Sequence, residues 1–436
     1  MSSESQKVLI PGSFRIESAT LSNFSGEEIN IRPMITELTV MESMHSMFCV
    51  YEFLIVDGVA LLEKYAITGN EKIKLEITKK DDPDADDVVT TKYLTVTGIN
   101  EYGRIINESQ AYMLQAVTET AMHCSIERVS KAVNGTAAGI LATLYDEVQY
   151  KLPLDQRDTS TEGNYKLVLP NYTYTDTLAM LLGKAQNSSG STFHMFESLW
   201  GDMSFTSYDE IIKSDPIDEY RIGSFQSTEG LKLTEFDKIR KKIKSINSNL
   251  GISHFEAFKK GGLSSRVFMN DIATKTFEKK DYFVLDEDLG RMDNDYALAP
   301  QYKVGKKPVS EIKQAKTFMV NKNTMAFANA DNGQNRVDES VAKKRFRYEN
   351  QFAVSHNIVV VGDSRLRAGS TIDIYVPTAT DPKYISDVRD DYFSGRYFIS
   401  SVRHSLKMGG SYTVDLTIRK DSVNRDKMIS KNKSMK

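Results

Sequence analysis

Alternation of apolar and polar residues at every second position is the feature that most limits what this chain can become. Ser13 to Leu21 alternates through Phe14, Ile16 and Leu21, and Ile35 to Met41 alternates through Ile35 and Leu38. Lys72 to Thr78 sets Ile73, Leu75 and Ile77 on one face and charged residues on the other. Successive side chains of a strand point to opposite faces, so these segments predict strands with one face in a core. Phe48 to Val56 is a denser run rich in β-formers, and Tyr93–Ile99 and Ala111–Thr118 complete the set. The first 120 residues therefore predict a barrel or sandwich.

A change of period follows. Ile140, Leu141, Leu144 and Val148 fall at helical spacing after Asn134. A second helix is predicted over Thr177–Gln186, with Thr175 and Asp176 as caps. Thr192–Glu197 and Met203–Tyr208 flank the turn-rich Ser198-Leu199-Trp200-Gly201-Asp202, a hairpin pattern. Strand-like sequence returns from Phe236 to Val284, with Arg266–Ile272 and Lys275–Val284 predicted as a ribbon. Asp286 to Gly333 is polar and weakly periodic and reads as an irregular excursion. Arg336–Phe352 predicts an exposed helix, and Ile358–Val361, Thr371–Val376, Tyr397–Val402 and Tyr412–Ile418 predict a second strand set. Lys420–Lys436 is a basic, polar tail.

Bulk properties exclude some functions. A chain of 436 residues with 56 basic and 59 acidic side chains carries a net charge of −3, without the clustered basic surface that tight nucleic-acid binding requires. Met1–Gln6 lacks the basic-then-apolar pattern of a secretory signal, and the apolar runs Phe53–Val56 and Leu178–Leu182 are too short to span a bilayer, so folding in a cytoplasm without stable membrane insertion is expected. The two cysteines, Cys49 and Cys124, lie in apolar, strand-like settings and read as buried free thiols.

Chemistry-bearing patterns are scarce. His45, His123, His194, His254, His356 and His404 show no metal-ligand spacing, the cysteines form no C-x-x-C, and no nucleophile elbow, Walker loop or dinucleotide fingerprint occurs. Asp81–Asp87 is rich in acids, but the sixth and twelfth places of a calcium loop counted from Asp82 hold Asp87 and Tyr93, so a solvated hairpin loop is expected. Glu27-Glu28 and Asp390-Asp391 are adjacent carboxylates with no sign of facing across a cleft. Lys238–Lys244 is basic but interleaved with Ile239 and Ile243, as the exposed face of a structural element would be. The expectation is a scaffold with no catalytic, cofactor or metal residues. Its notable positions are turn glycines: Gly69, the pair Gly362 and Gly369 bracketing a bend, and the hairpin pair Gly409 and Gly410.

Several segments, taken in order, resemble the baseplate central hub subunits of contractile-tailed, myovirus-type bacteriophages, which adapt tail tube to spike. Ile35–Ser43 is similar to a family strand ending in an acidic residue, followed by the apolar strand Val50–Val56 and Asp57; the family often has Asp-Ser where this chain has Asp57-Gly58. Ile67-Thr68-Gly69-Asn70-Glu71 resembles the family's step into its next strand. Tyr174-Thr175-Asp176 resembles a capped helix, and Phe193–Glu197 with Met203–Ser207 the hairpin after it. Gly262–Phe268 with Asp271–Lys275, the bend Val361–Ser370, and Tyr397–His404 extend the resemblance toward the C-terminus.

The resemblance implies a mainly β (α+β) fold: two tail-tube-like β-barrel domains with inserted α/β segments. The barrels would be 1–121 and 226–285 plus 350–420, with an α/β insertion at 122–225, an irregular and α insertion at 286–349, and a tail at 421–436. It implies a structural role without enzymatic activity in a virion tail baseplate assembled in the host cytoplasm. The implied partners are two further copies in a homotrimer, a central spike protein, a tail tube or tube-initiator protein, baseplate wedge proteins and phage DNA in transit. No cofactor is implied. A hub of a related tailocin or type VI-like injection machine is one alternative; its fused spike would need a glycine-rich repeat after the second barrel, and none precedes Lys436. A tail-associated polysaccharide hydrolase is another, and one tryptophan, Trp200, makes a thin sugar-stacking inventory.

Overall fold

The computed structural model describes residues 11–65, 67–81, 86–105, 109–223, 234–249, 254–283, 290–292, 295–296, 303–312, 315–322, 337–351, 354–377, 389–390, 393–409 and 411–423. The fold is mainly β and is organised by one 14-stranded sheet. Its first seven strands are β1 (Phe14–Ser22), β2 (Glu28–Asn30), β3 (Ile35–Ser43), β4 (Val50–Asp57), β5 (Lys72–Lys79), β6 (Val88–Ile105) and β7 (Ser109–Thr118). They pair antiparallel in the order β3-β4-β7-β6-β5-β1-β2. Alternation explains the burial: Tyr51, Phe53 and Ile55 of β4 and Ile73, Leu75 and Ile77 of β5 are buried, while most residues between them face outward. Each such side chain contributes about 1.5–3 kcal/mol by leaving water.

The other seven strands are β8 (Glu219–Ile222), β9 (Lys242–Ile243), β10 (Ser245–Asn249), β11 (Val354–Val361), β12 (Thr371–Tyr375), β13 (Gly395–Lys407) and β14 (Ser411–Lys420). β12 pairs with β13, β13 with β14, β14 with β11 and β11 with β10, all antiparallel. β8 pairs in parallel with both β9 and β12, and Lys244 between β9 and β10 donates its N–H to the Val359 carbonyl. The two sets are joined edge to edge, residues 401–407 of β13 running antiparallel to residues 37–43 of β3.

An α/β unit lies between the sets in sequence. Its helices are α1 (Glu119–Ile126), α2 (Ala137–Asp146) and α3 (Tyr174–Lys184), and its core includes Leu141, Leu144, Leu178 and Leu181. Both predicted helix starts shift. Thr136, not Asn134, caps α2 by accepting the Gly139 N–H, and Thr173, not Thr175 or Asp176, caps α3 by accepting the Asp176 N–H. The threonine hydroxyl reaches the third helical amide in each case, while Asn134 is held in a strand opposite Lys166. Cys124 is buried on α1 rather than on a strand.

Several expectations about the chain beyond the α/β unit's helices need correction. The ribbon Ser264–Asp271 and Thr276–Phe283, assigned from sequence to the second barrel, forms instead a separate three-stranded sheet with Thr317–Lys322. That third strand falls inside the supposedly irregular stretch 286–349, so the two segments make one unit. Glu219–Ile222, placed by sequence in the α/β insertion, belongs to the large sheet. Helix α4 (Val337–Gln351) is not exposed: Ala342, Phe346 and Asn350, four residues apart, are buried, and the helix packs on the three-stranded sheet. Short strand length hid Thr317–Lys322, and the polar composition of α4 hid its burial, since Arg347, Glu349 and Gln351 are buried as well. The predicted tail begins inside the fold, since Asp421 is buried and Ser422–Val423 pairs with Asp295–Tyr296; residues 424–436 lie outside the described residues.

Candidate functional site

The hairpin Phe193–Glu197 and Met203–Ser207 sits between two cores. Phe193, Met195, Met203 and Phe205 pack into the α/β core, whereas Phe196, Leu199 and Trp200 pack into the core of the large sheet. Both hairpin faces are therefore buried, although Met203–Ser207 alternates Met and Phe with Ser and Thr. The tip, Ser198 to Asp202, reaches the seam where β3 meets β13. Trp200 is buried there and is not available for stacking on a sugar.

Glu42 is the node of this seam. It lies on the inward phase of β3 with Leu38 and Val40, and both carboxylate oxygens are used: one accepts the Leu199 N–H at 2.9 Å, the other the Ala368 N–H at 2.8 Å. One carboxylate thus touches the first strand set, the hairpin tip and the bend before β12. Burial pushes its carboxyl up, but contact with His404 and these two N–H donors outweigh burial and hold it below the ordinary glutamate range. His404, fully buried on β13, faces Glu42 Oε2 through Nε2 at 3.5 Å, too long and misaligned for a strong hydrogen bond. Trp200 Nε1 donates to Tyr412 Oη at 2.9 Å, and His404 Nδ1 lies 2.8 Å from the same oxygen. Indole N–H can only donate, so Tyr412 Oη accepts from Trp200 and makes its second hydrogen bond with His404 Nδ1.

Further polar residues occupy inward strand phases nearby. Lys92 on β6 donates to the carbonyls of Ser198 at 2.9 Å and Gly201 at 3.0 Å and lies 3.6 Å from Glu197. Glu197 accepts from Tyr51 Oη, Thr118 Oγ1 and the Cys49 N–H, yet burial dominates and raises its carboxyl above the ordinary range. Burial also raises the Cys49 thiol, leaving it unreactive. Lys79 on β5 pairs with Asp81 at 3.4 Å and sits over the Tyr412 ring; burial lowers its ammonium. Asp81 in turn accepts from the N–H and hydroxyl of Ser364. The acidic run was expected to be a solvated loop, but its first residue is buried against the bend; residues 82–85 lie outside the described residues.

The bend Val361–Ser370 explains two predicted glycines by different physics. A Cβ at Gly362 would fall 2.0 Å from Tyr412 Cδ1, although the backbone there is not left-handed. Gly369 has φ +72°, and its Cβ would meet Phe196 Cζ at 2.5 Å. Gly69 has φ +95° with open space around it; Glu71 accepts the N–H groups of Thr68, Gly69 and Asn70, which makes the quoted motif a carboxylate-capped turn. Gly409 has φ +103° in the β13–β14 hairpin. Gly410 lies outside the described residues.

Sites for other chemistry do not assemble. Among the described residues no group of three or more His, Cys, Asp or Glu is placed to hold a metal ion, and no helix is long and apolar enough to cross a membrane. His194 and His356 are both lowered to about 4, chiefly by burial, and are hydrogen-bonded to Met44 and Thr192 and to Ser248 and Tyr397. Part of the basic stretch is neutralised by neighbouring acids: Arg240 contacts Asp218 and Asp237, and Lys241 pairs with Asp218 at 2.6 Å. Sequence reasoning missed Glu42, Lys92 and Glu197. Their signal was present, since each is a charged residue on the inward phase of an apolar strand, and such residues are buried only with partners.

No protein-family model matches this sequence, and no curated protein matches it. Solved structures do. A tail protein from Neisseria meningitidis MC58 superposes with a TM-score of 0.52 at 12% identity, covering 94% of this chain and 98% of that one. The 43 kDa tail protein of prophage MuSo2 from Shewanella oneidensis superposes with a TM-score of 0.51 at 11% identity, covering 93% of this chain and 99% of that one. At such identities the likeness is one of fold, and it extends over most of this chain.

Proposed function

We propose that this protein is a structural hub of a phage-type tail baseplate, joining the tail tube to a central spike. The observation that carries the reading is the likeness in fold to two tail proteins over nearly the whole of both chains. The hub works mechanically, by adapting symmetry and holding the spike, and catalyses nothing. Its two barrels are the two strand sets. The pairing supports this: β8, β12, β13, β14, β11 and β10 form a run of partners that returns to β8 through β9, which Lys244 joins to β10. In the first set β2 pairs with β1 and leads through the short helical turn Arg32–Met34 into β3, at the opposite end of that run.

On this reading the barrels comprise β1–β7 and β8–β14, and 122–218 with 254–351 supply the insertions. Three copies lend six similar barrels to one ring that meets a six-fold tube on one side and a trimeric spike on the other, with wedge proteins outside and DNA passing through the lumen. A net charge of −3 suits a passage that does not retain phosphate. Electron microscopy of the purified protein with its spike is expected to reveal a ring with a central hole, and native mass measurement three chain masses. A stable dimer or closed tetramer cannot offer six equivalent barrels and would refute the hub reading.

A further inference from the structure

The hairpin tip does more than fill space between the two strand sets. Its contacts reach both of them, and the polar ones fall on Glu42, Lys92 and Thr90 of the first set and Tyr412 of the second. On the first set, Glu42 holds the Leu199 N–H and Lys92 holds the Ser198 and Gly201 carbonyls. On the second, Tyr412 receives the Trp200 N–H, and Phe196 lies against Gly369 of the bend. The same Glu42 carboxylate also holds the Ala368 N–H of that bend. The base of the hairpin belongs to a different core, that of the α/β unit.

We propose that the tip is a key, seated in the seam between the strand sets, that couples the α/β unit to the bend through Glu42, so that tip and bend are released together. The argument rests on which acceptors are shared. Leu199 and Ala368 are not paired in the large sheet, and each gives its N–H to one oxygen of a single buried carboxylate. Loss of one donor leaves the carboxylate undersatisfied in a low-dielectric site, which raises the free energy of keeping it buried, so the opening that frees the carboxylate frees both amides at once. Trp200 reaches the same node from the other side, because its bond to Tyr412 fixes the His404 ring that faces Glu42. Displacement of the α/β unit by a partner would thereby reach the seam without any contact to the large sheet.

Amide hydrogen exchange on the full chain tests this without any assumption about the hub role. In the wild type, Leu199 and Ala368 are expected to exchange at protection factors within about threefold of each other, because one opening frees both. Glu42→Gln keeps one acceptor oxygen and directs its NH2 at the other donor. It should accelerate both amides by about tenfold or more, whereas independent sites would respond at one amide only. Trp200→Phe keeps an aromatic ring and removes one N–H, so the fold is retained if the glutamine variant proves insoluble. It should accelerate Ala368, which Trp200 does not hold, by several-fold. Unequal wild-type protection, acceleration of a single amide in Glu42→Gln, or unchanged Ala368 exchange in Trp200→Phe would each overturn the proposal.

Discussion

Gly362→Ala adds one methyl group to a solvent-shielded bend, and its cost can be worked from the geometry. The new Cβ would lie 2.0, 2.2 and 2.4 Å from Tyr412 Cδ1, Cγ and Cε1, so the ring must move. The backbone at 362 is not left-handed, so the penalty is steric rather than conformational. Tyr412 has little freedom: it is 1% exposed, its hydroxyl is bonded to Trp200 and His404, and Lys79 sits over its ring at 5.4 Å. Overpacking a tight core costs about 1–3 kcal/mol. Pulling the hydroxyl from its partners adds about 1–3 kcal/mol for the buried groups left unsatisfied. The expected loss is on the order of 2–6 kcal/mol, at its upper end comparable with the whole margin of a folded domain. Urea unfolding of Gly362→Ala should report it. In a Tyr412→Ala background the same glycine change should cost less than about 1 kcal/mol, since the Cγ, Cδ1 and Cε1 atoms it strikes are gone. An equal loss in both backgrounds, or a loss below about 1 kcal/mol in the wild type, would refute the argument.

Gly369→Val combines a β-branched residue at φ +72° with a clash against Phe196, and should lower stability by roughly 3–5 kcal/mol in urea unfolding. Lys92→Met leaves Glu197 buried and unpaired and should cost about 3–5 kcal/mol at neutral pH, read from the same assay. Glu42 and Glu197 should give opposite pH slopes. The Glu42 carboxyl is lowered on folding, so its stabilisation is present above the ordinary glutamate range and lost as pH falls through it; that of Glu197 is raised, so the fold loses stability as pH rises through the range. The deficit of Glu42→Gln relative to wild type should therefore grow from pH 4 toward neutrality, on the order of the carboxylate titration, while that of Glu197→Gln should shrink. Incubation with cell-wall or capsular polysaccharide should release no reducing ends above a heat-killed control, and turnover abolished by a single Asp or Glu substitution would contradict the mechanical reading.

Much of the large sheet was legible because alternation is a local signal. Ile73, Leu75 and Ile77 announce β5 without reference to any other residue, and Ala111–Thr118 announces β7. Pairing partners were not legible. Nothing local in Arg266–Ile272 tells whether it joins the large sheet or a small one, because that is decided by Thr317–Lys322, some fifty residues away. The candidate site was half legible. Glycines mark places where a side chain cannot go, so Gly362 and Gly369 could be singled out, but the atoms that exclude it belong to Tyr412 and Phe196. Glu42 could have been found as an acid in register with Leu38 and Val40. Its partners Leu199 and Ala368 could not, since backbone amides leave no trace in a sequence.

The pairing of β3 with β13 also has a consequence for how the chain is made. Residues 37–43 meet residues 401–407, so β3 is synthesised long before its neighbour. At ribosomal rates of about 5–20 residues per second, that strand waits for tens of seconds with one flank unpaired, while β1–β7 can already close around their own core. An unpaired strand flank is a template for association with other chains. Glu37 and Glu42 lie on this flank, and until His404 and Ala368 arrive the Glu42 carboxylate is a charge with no place in an apolar contact. The residue that ties the finished seam is thus also suited to guard the nascent edge. Release of β13 in the mature protein would return β3 to the condition it had on the ribosome.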